Sequence, residues 1–128
     1  MDQNLEETIS NKKKKLDYLN KFFKELYLNF NARKIELVIA KMTDEIKWAN
    51  GMDGGYVFGH DGVREYWLRQ FKTVSSTVTP IKIEEVGERV RIKVHQVVYD
   101  MEGKLLADEI VNHFFSWKMI KLLPLISA

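Results

Sequence analysis

The sequence predicts a single α+β domain in which helices pack on one face of a mostly antiparallel sheet. Two observations lead to this prediction. Apolar residues recur at helical spacing through the N-terminal half, and the period changes to two after Ser76. A chain of 128 residues has the length of one domain. We therefore expect helices over about 14–41 and 61–74, a sheet built from about 44–48 and 77–117, and a tail over 118–128.

Each of the three expected helices is marked by an apolar stripe. The first stripe covers residues 14–30, and the basic run at 12–15 is interpreted as the solvated start of that helix. A break at 31–33 separates it from a short second helix with Ile35, Val38, Ile39 and Met42 on one side. A third helix is expected from about residue 61, where Asp61 lies favourably near its positive N-terminal end. Its stripe consists of Val63, Tyr66, Trp67, Gln70, Phe71 and Val74.

The strands are marked by alternation and by turn residues. Residues 46–48 predict a short strand that ends in a glycine-rich loop or loose hairpin over 50–59. Pro80 predicts an edge or a bulge in the first long strand, and Gly87 and Gly103 mark tight turns. In the next strand one face is apolar except for Gln96, so we expect the Gln96 side chain to point inward. That face is made of Ile92, Val94, Gln96 and Val98.

Composition excludes several classes of function. A net charge of +2 gives no strong field for nucleic acid or an anionic membrane, so neither is expected as a partner. No segment approaches the roughly 20 apolar residues that span a bilayer. The chain has no cysteine, which excludes disulfides and thiolate catalysis and fits a reducing cytoplasm, the expected location.

Neither a metal nor a cofactor is expected. His60, His95 and His113 do not have the spacing of a metal-ligand motif. The glycines between residues 51 and 59 lack the Lys-Ser/Thr ending of a phosphate-binding loop. The sequence therefore predicts a site made of ordinary side chains.

The segment over 48–67 is the best candidate for a ligand pocket, because a strand end, a glycine-rich loop and an amphipathic helix meet there. Asn50 is either a polar group of the pocket or a turn former before Gly51. His113, between Val111 and Phe115, is either an acid, base or hydrogen-bond donor, or a core histidine satisfied by a partner. The expected ligand-binding residues are Tyr27, Trp48, Tyr56, Trp67, Gln96 and Phe115.

Residues 16–115 resemble the nuclear transport factor 2-like or SnoaL-like family, which is related to ketosteroid isomerase, and in particular an uncharacterised branch of it. The resemblance is carried by the segments 29–33, 42–44, 48–51, 62–67, 70–71, 95–100 and 103–108. It implies a cone-shaped fold with three N-terminal helices on a curved sheet, a pocket for a small hydrophobic molecule, and a homodimer formed through the sheet. The family usually closes with one more strand. The tail over 118–128 departs from that pattern, either as a divergent last strand or through a frameshift.

The resemblance also bears on catalysis. By position, Leu26 stands where ketosteroid isomerase has its tyrosine, Asn50 where it has its base, and His113 where it has its acidic donor. An amide does not abstract a proton at neutral pH, so that mechanism is not expected. Trp48 and Asn50 match a water-holding pair of limonene epoxide hydrolase, and Asp108 is the late-strand candidate for the acid/base residue of SnoaL-like cyclases.

We therefore expect a small-molecule-binding domain that acts on a hydrophobic substrate by isomerase- or cyclase-type acid–base chemistry. The expected catalytic residues are His113, Asn50 and Asp108. The alternative is a ligand-binding or dimerisation module without catalysis.

Overall fold

The computed structural model describes residues 2–51 and 53–121. The first element is a long helix, α1 (Asp2–Asn31), which begins well before the expected start near residue 14. The basic run at 12–15 therefore lies within the helix, and its interpretation as the helix start was wrong. The early turns escaped prediction because they bury no apolar stripe: Leu5 and Ile9 are exposed. Acidic side chains such as Glu6 suit the positive end of the helix dipole.

Two shorter helices complete the helical layer. The helix α2 (Ile35–Ile39) buries Ile35, Val38 and Ile39, and Met42 just after it is fully buried. The hairpin β1 (Lys47–Ala49) and β2 (Tyr56–Phe58) then leads into α3 (Gly59–Thr73). Gly59 opens α3 with a positive φ of 73°, a conformation that glycine adopts without strain.

The main sheet is an antiparallel meander of β3 (Val74–Val86), β4 (Arg89–Asp100) and β5 (Leu105–Ser116). The pairing shifts between Pro80 and Lys82, which is the bulge that the proline predicted. At the free edge of β3, the Asn31 amide donates to the Val78 carbonyl at 2.8 Å and accepts from the Val78 N–H at 2.9 Å. The side chain of Asn31 thereby pairs with this edge as a strand would.

The β1–β2 hairpin forms a small sheet of its own rather than extending the meander. After β5 the chain turns into a 3₁₀ helix (Trp117–Met119), and Ile120 bridges to Met42. The described part of the predicted tail therefore leaves the edge of β5 instead of continuing the sheet. The rest of that tail, residues 122–128, lies outside the described residues.

The hydrophobic core lies between the helices and the inner face of the sheet. Its largest fully buried side chains include Trp67, Phe23, Phe115 and Leu19. This arrangement confirms the predicted α+β class, with helices against an antiparallel sheet. Among the described residues, no helix combines the length and the hydropathy that a membrane crossing requires.

Candidate functional site

A cavity of about 290 Å³, called the inner cavity here, lies between the helices, β1 and the inner face of the sheet. Its walls are mostly aliphatic and aromatic, and the described lining residues carry no formally charged side chain at neutral pH. The lining consists of Leu26, Tyr27, Phe30, Val38, Met42, Trp48, Ala49, Gly51, Tyr66, Trp67, Gln70, Ser76, Val78, Gln96, Val98, Val111 and His113.

The polar centre of the inner cavity is a hydrogen-bonded pair, Tyr27 and His113. The Tyr27 hydroxyl lies 2.7 Å from His113 Nδ1, and the two rings are stacked with centroids 5.8 Å apart. Tyr27 lies on the buried stripe of α1, and His113 lies on the inner face of β5 between Val111 and Phe115. The contact joins residues 86 positions apart in the chain.

Burial keeps both members of this pair uncharged at neutral pH. It lowers the pKa of His113 to about 4 and raises the pKa of Tyr27 above its ordinary value of 10, because a charged form would be poorly solvated there. If the Tyr27 hydroxyl donates to Nδ1, the proton of the neutral His113 ring is on Nε2. If Nδ1 instead donates to the Tyr27 oxygen, the hydroxyl hydrogen of Tyr27 is available for another acceptor. In either arrangement the pair retains a polar hydrogen that it does not use internally.

Aromatic side chains pack around the pair. The Trp48 ring packs edge-to-face against two other rings. Its centroid lies 5.2 Å from that of His113 and 5.4 Å from that of Trp67. Phe115 lies 5.9 Å behind Trp48, so it supports the wall without lining the inner cavity. The Trp67 indole N–H has no hydrogen-bond partner among the described residues, although the side chain is only 1% exposed.

Besides Tyr66, three further polar residues line the inner cavity. Gln96 lies on the inner face of β4, as predicted from the alternation of that strand. Ser76 and Gln70 were not among the predicted site residues. A signal for each existed: Ser76 stands two residues before Val78 on the inner face of β3, and Gln70 interrupts the apolar stripe of α3.

Asn50 lies in the loop of the hairpin, where its groups organise the turn. Its side-chain oxygen accepts from the Asp53 N–H at 2.9 Å, and its backbone carbonyl accepts from the Gly54 N–H at 2.9 Å. The neighbouring Gly51 N–H donates to the Tyr66 hydroxyl at 3.0 Å. Asn50 is not one of the residues that line the inner cavity, and this geometry corresponds to the turn-former alternative.

Asp108 and Tyr56 also lie away from the pair. Asp108 is on the outer face of β5, where its carboxylate is 2.6 Å from His95 Nε2 and its side chain is 55% exposed. Tyr56 on β2 is 55% exposed, with Lys47 Nζ 4.0 Å from its ring centroid. Of the nine predicted site residues, the structure therefore brings five to the inner cavity: Tyr27, Trp48, Trp67, Gln96 and His113.

Neither a protein-family model nor a curated protein matches the chain, but solved structures do. TerC, co-crystallised with polyporic acid, matches with a TM-score of 0.65 and 23% identity over 75% of this chain and 78% of TerC. The same four values hold for a nuclear transport factor 2-like protein of unknown function from Burkholderia pseudomallei. The chain has the nuclear transport factor 2-like fold.

A third structure with this fold is a ketosteroid isomerase-like protein from Erwinia carotovora atroseptica. It matches with a TM-score of 0.54 and 16% identity, over 77% of this chain and 76% of that protein. Sequence identities this low establish the architecture, and the nuclear transport factor 2-like fold hosts more than one chemistry. The function of this chain must therefore be argued from its own side chains.

Proposed function

We propose that the protein binds a small, uncharged and largely apolar molecule in the inner cavity, with a polar atom of that molecule at the Tyr27–His113 pair. One observation carries the proposal: a neutral, hydrogen-bonded pair lies in a cavity whose described lining is free of charge. A buried carboxylate or ammonium would lose its hydration there without gaining a partner of opposite charge. A carbonyl or hydroxyl group would instead gain a hydrogen bond.

The volume of the inner cavity limits the size of the ligand. At about 20–30 Å³ for each non-hydrogen atom, 290 Å³ accommodates roughly ten to fifteen of them. A fused two-ring ketone has this size and offers its carbonyl to the pair.

The first test compares three two-ring probes by calorimetric titration: 2-tetralone, tetralin and 2-naphthoate. We expect 2-tetralone to bind about fivefold more tightly than tetralin, because one added hydrogen bond contributes about 1 kcal/mol. We expect 2-naphthoate to bind most weakly, since its carboxylate would be buried without a cation. The double variant Tyr27→Phe/His113→Leu should bind 2-tetralone and tetralin equally.

The matched control is Tyr99→Phe/His95→Leu, which makes the same two changes on the outer face of the sheet and should keep the preference. Equal affinity for 2-tetralone and tetralin in the unmodified protein would contradict the proposal, as would a preference for the carboxylate.

Acid–base catalysis on such a ligand is the second candidate, and the Tyr27–His113 contact favours it. A neutral imidazole or phenol can polarise a carbonyl by donating a hydrogen bond, which eases transfer of the adjacent proton to a water molecule or buffer base. With a pKa of about 4, His113 itself is a weak base at neutral pH. Exchange of the 2-tetralone α-protons in D₂O, faster than in buffer and lost in Tyr27→Phe/His113→Leu, would establish this activity. Binding of 2-tetralone without proton exchange would support the alternative, a ligand-binding module without catalysis.

We also propose that the protein forms a homodimer through the outer face of the main sheet. That face carries exposed apolar side chains, and such patches favour association: Tyr99, Leu106, Ile110 and Phe114. Ile110 stands opposite His95 in the β4–β5 register and is 51% exposed.

Ile110→Glu is expected to convert the dimer to a monomer, because each subunit would bury an unpaired carboxylate in an apolar interface. Size-exclusion chromatography with light scattering at micromolar concentration measures this. The control Ile9→Glu places the same change on an exposed position of α1 and should leave the dimer intact. A monomeric unmodified protein would contradict the proposal.

A further inference from the structure

The two sheets leave a slot between β1 and β5, with a volume of about 470 Å³. It is larger than the inner cavity and separated from it by Trp48, Ala49 and His113, which line both spaces. The slot is lined by Lys47, Trp48, Ala49, Tyr56, Arg89, Asn112, His113, Phe114, Ser116 and Met119.

Two of the strands that line the slot, β1 and β5, each have an unpaired edge among the described residues. Within residues 2–51 and 53–121, β5 pairs with β4 alone and β1 pairs with β2 alone. Of the described residues, those at 117–121 do not cover the edge of β5, because the chain turns into the 3₁₀ helix there and Ile120 bridges to Met42. An unpaired edge presents backbone N–H and C=O groups that an extended peptide can pair with.

The charged side chains that line the slot, among the described residues, are all positive. Lys47 and Arg89 line it, and the described lining includes no aspartate or glutamate. Each cation lies over an aromatic ring: Lys47 Nζ is 4.0 Å from the centroid of Tyr56, and Arg89 Cζ is 4.7 Å from that of Phe114. Neither cation has a carboxylate partner among the described ion pairs. The slot therefore complements negative charge.

We infer that the slot binds an extended acidic peptide segment as an added strand between β1 and β5. Side chains of a strand alternate between its two faces. Residues pointing inward would contact Trp48 and His113, and residues pointing outward would lie between Lys47 and Arg89. The fitting sequence alternates apolar and acidic residues. This binding does not depend on the proposed ligand of the inner cavity.

The test uses the full chain and the peptide Ac-Val-Glu-Val-Glu-Val-NH₂, with amide hydrogen exchange followed by NMR. Saturation should protect amides in β1 and at residues 112–116. Two peptides of equal length should bind at least tenfold more weakly. Ac-Val-Lys-Val-Lys-Val-NH₂ carries the wrong charge, and Ac-Val-Glu-Pro-Glu-Val-NH₂ lacks the central N–H.

The variant Lys47→Glu/Arg89→Glu should reverse the preference to the lysine peptide. The control Lys13→Glu/Lys104→Glu changes the net charge equally at exposed sites outside the slot and should keep the preference for the acidic peptide. Four results would overturn the inference: equal binding of the acidic and basic peptides, reversal in the control, protection at another strand edge, or protection of 112–116 in the free protein. The last would mean that another part of the chain already fills the slot.

Discussion

Replacing Trp67 by alanine is expected to lower the free energy of unfolding by about 3–5 kcal/mol. The Trp67 side chain is 1% exposed and packs edge-to-face against Phe30 at 5.3 Å and Trp48 at 5.4 Å. Alanine would remove both ring contacts and enlarge the inner cavity, and the surrounding side chains can collapse only in part. Urea denaturation monitored by far-UV circular dichroism gives the change.

Trp67→Phe is the informative comparison, because it keeps a ring while removing the indole N–H. That N–H has no partner among the described residues, so its loss breaks no hydrogen bond. We expect Trp67→Phe to cost less than half as much as Trp67→Ala. Similar costs for the two variants would contradict the packing described here.

Acidification is expected to remove about 3 kcal/mol of stability through His113 alone. Burial lowers the folded-state pKa to about 4 from an ordinary value of 6.5, so the unfolded chain takes up the proton first as the pH falls. The contribution of His113 is therefore complete above pH 6.5 and is lost progressively between pH 6.5 and pH 4. The unfolding free energy should decline through that window.

The measurement is the difference in unfolding free energy between the unmodified protein and His113→Gln at several pH values. Taking the difference removes the carboxylates Glu36 and Glu84, whose pKa values are lowered by neighbouring cations and which titrate in both proteins. The unfolding free energy of the unmodified protein minus that of His113→Gln should fall from pH 7 to pH 4. A constant difference for His113→Gln would show that the histidine is not buried in its neutral form.

Periodicity was enough to predict the fold class and the inward direction of Gln96, because burial on one face of a strand or helix leaves a regular mark on the sequence. It did not predict the first turns of α1, whose described side chains before Lys15 are exposed and leave no such mark. Nor did it predict that the hairpin would form a separate sheet. That outcome depends on where the chain goes after Ser116, which local pattern does not encode.

The candidate site was also predictable only where burial on one face of an element produces a regular sequence pattern. His113 was identifiable as an unusual residue on an apolar face, but its partner Tyr27 is 86 positions away and resembles any other buried residue of the α1 stripe. The catalytic roles of Asn50 and Asp108 were proposed from a family pattern, and the geometry gives both residues other neighbours. The Asn50 oxygen serves its own turn, and Asp108 points away from the inner cavity toward His95.

The pairing of Asn31 with Val78 limits edge-to-edge association of the main sheet. A sheet with two open edges can add copies of itself without limit, since each new copy brings another open edge. Here the β3 edge is occupied at Val78 by the Asn31 amide and distorted at Pro80 by the bulge. Edge-to-edge growth through β5 would therefore stop after one addition. The two edges of the main sheet therefore differ: the β5 edge is open to an added strand, and the β3 edge is blocked against one.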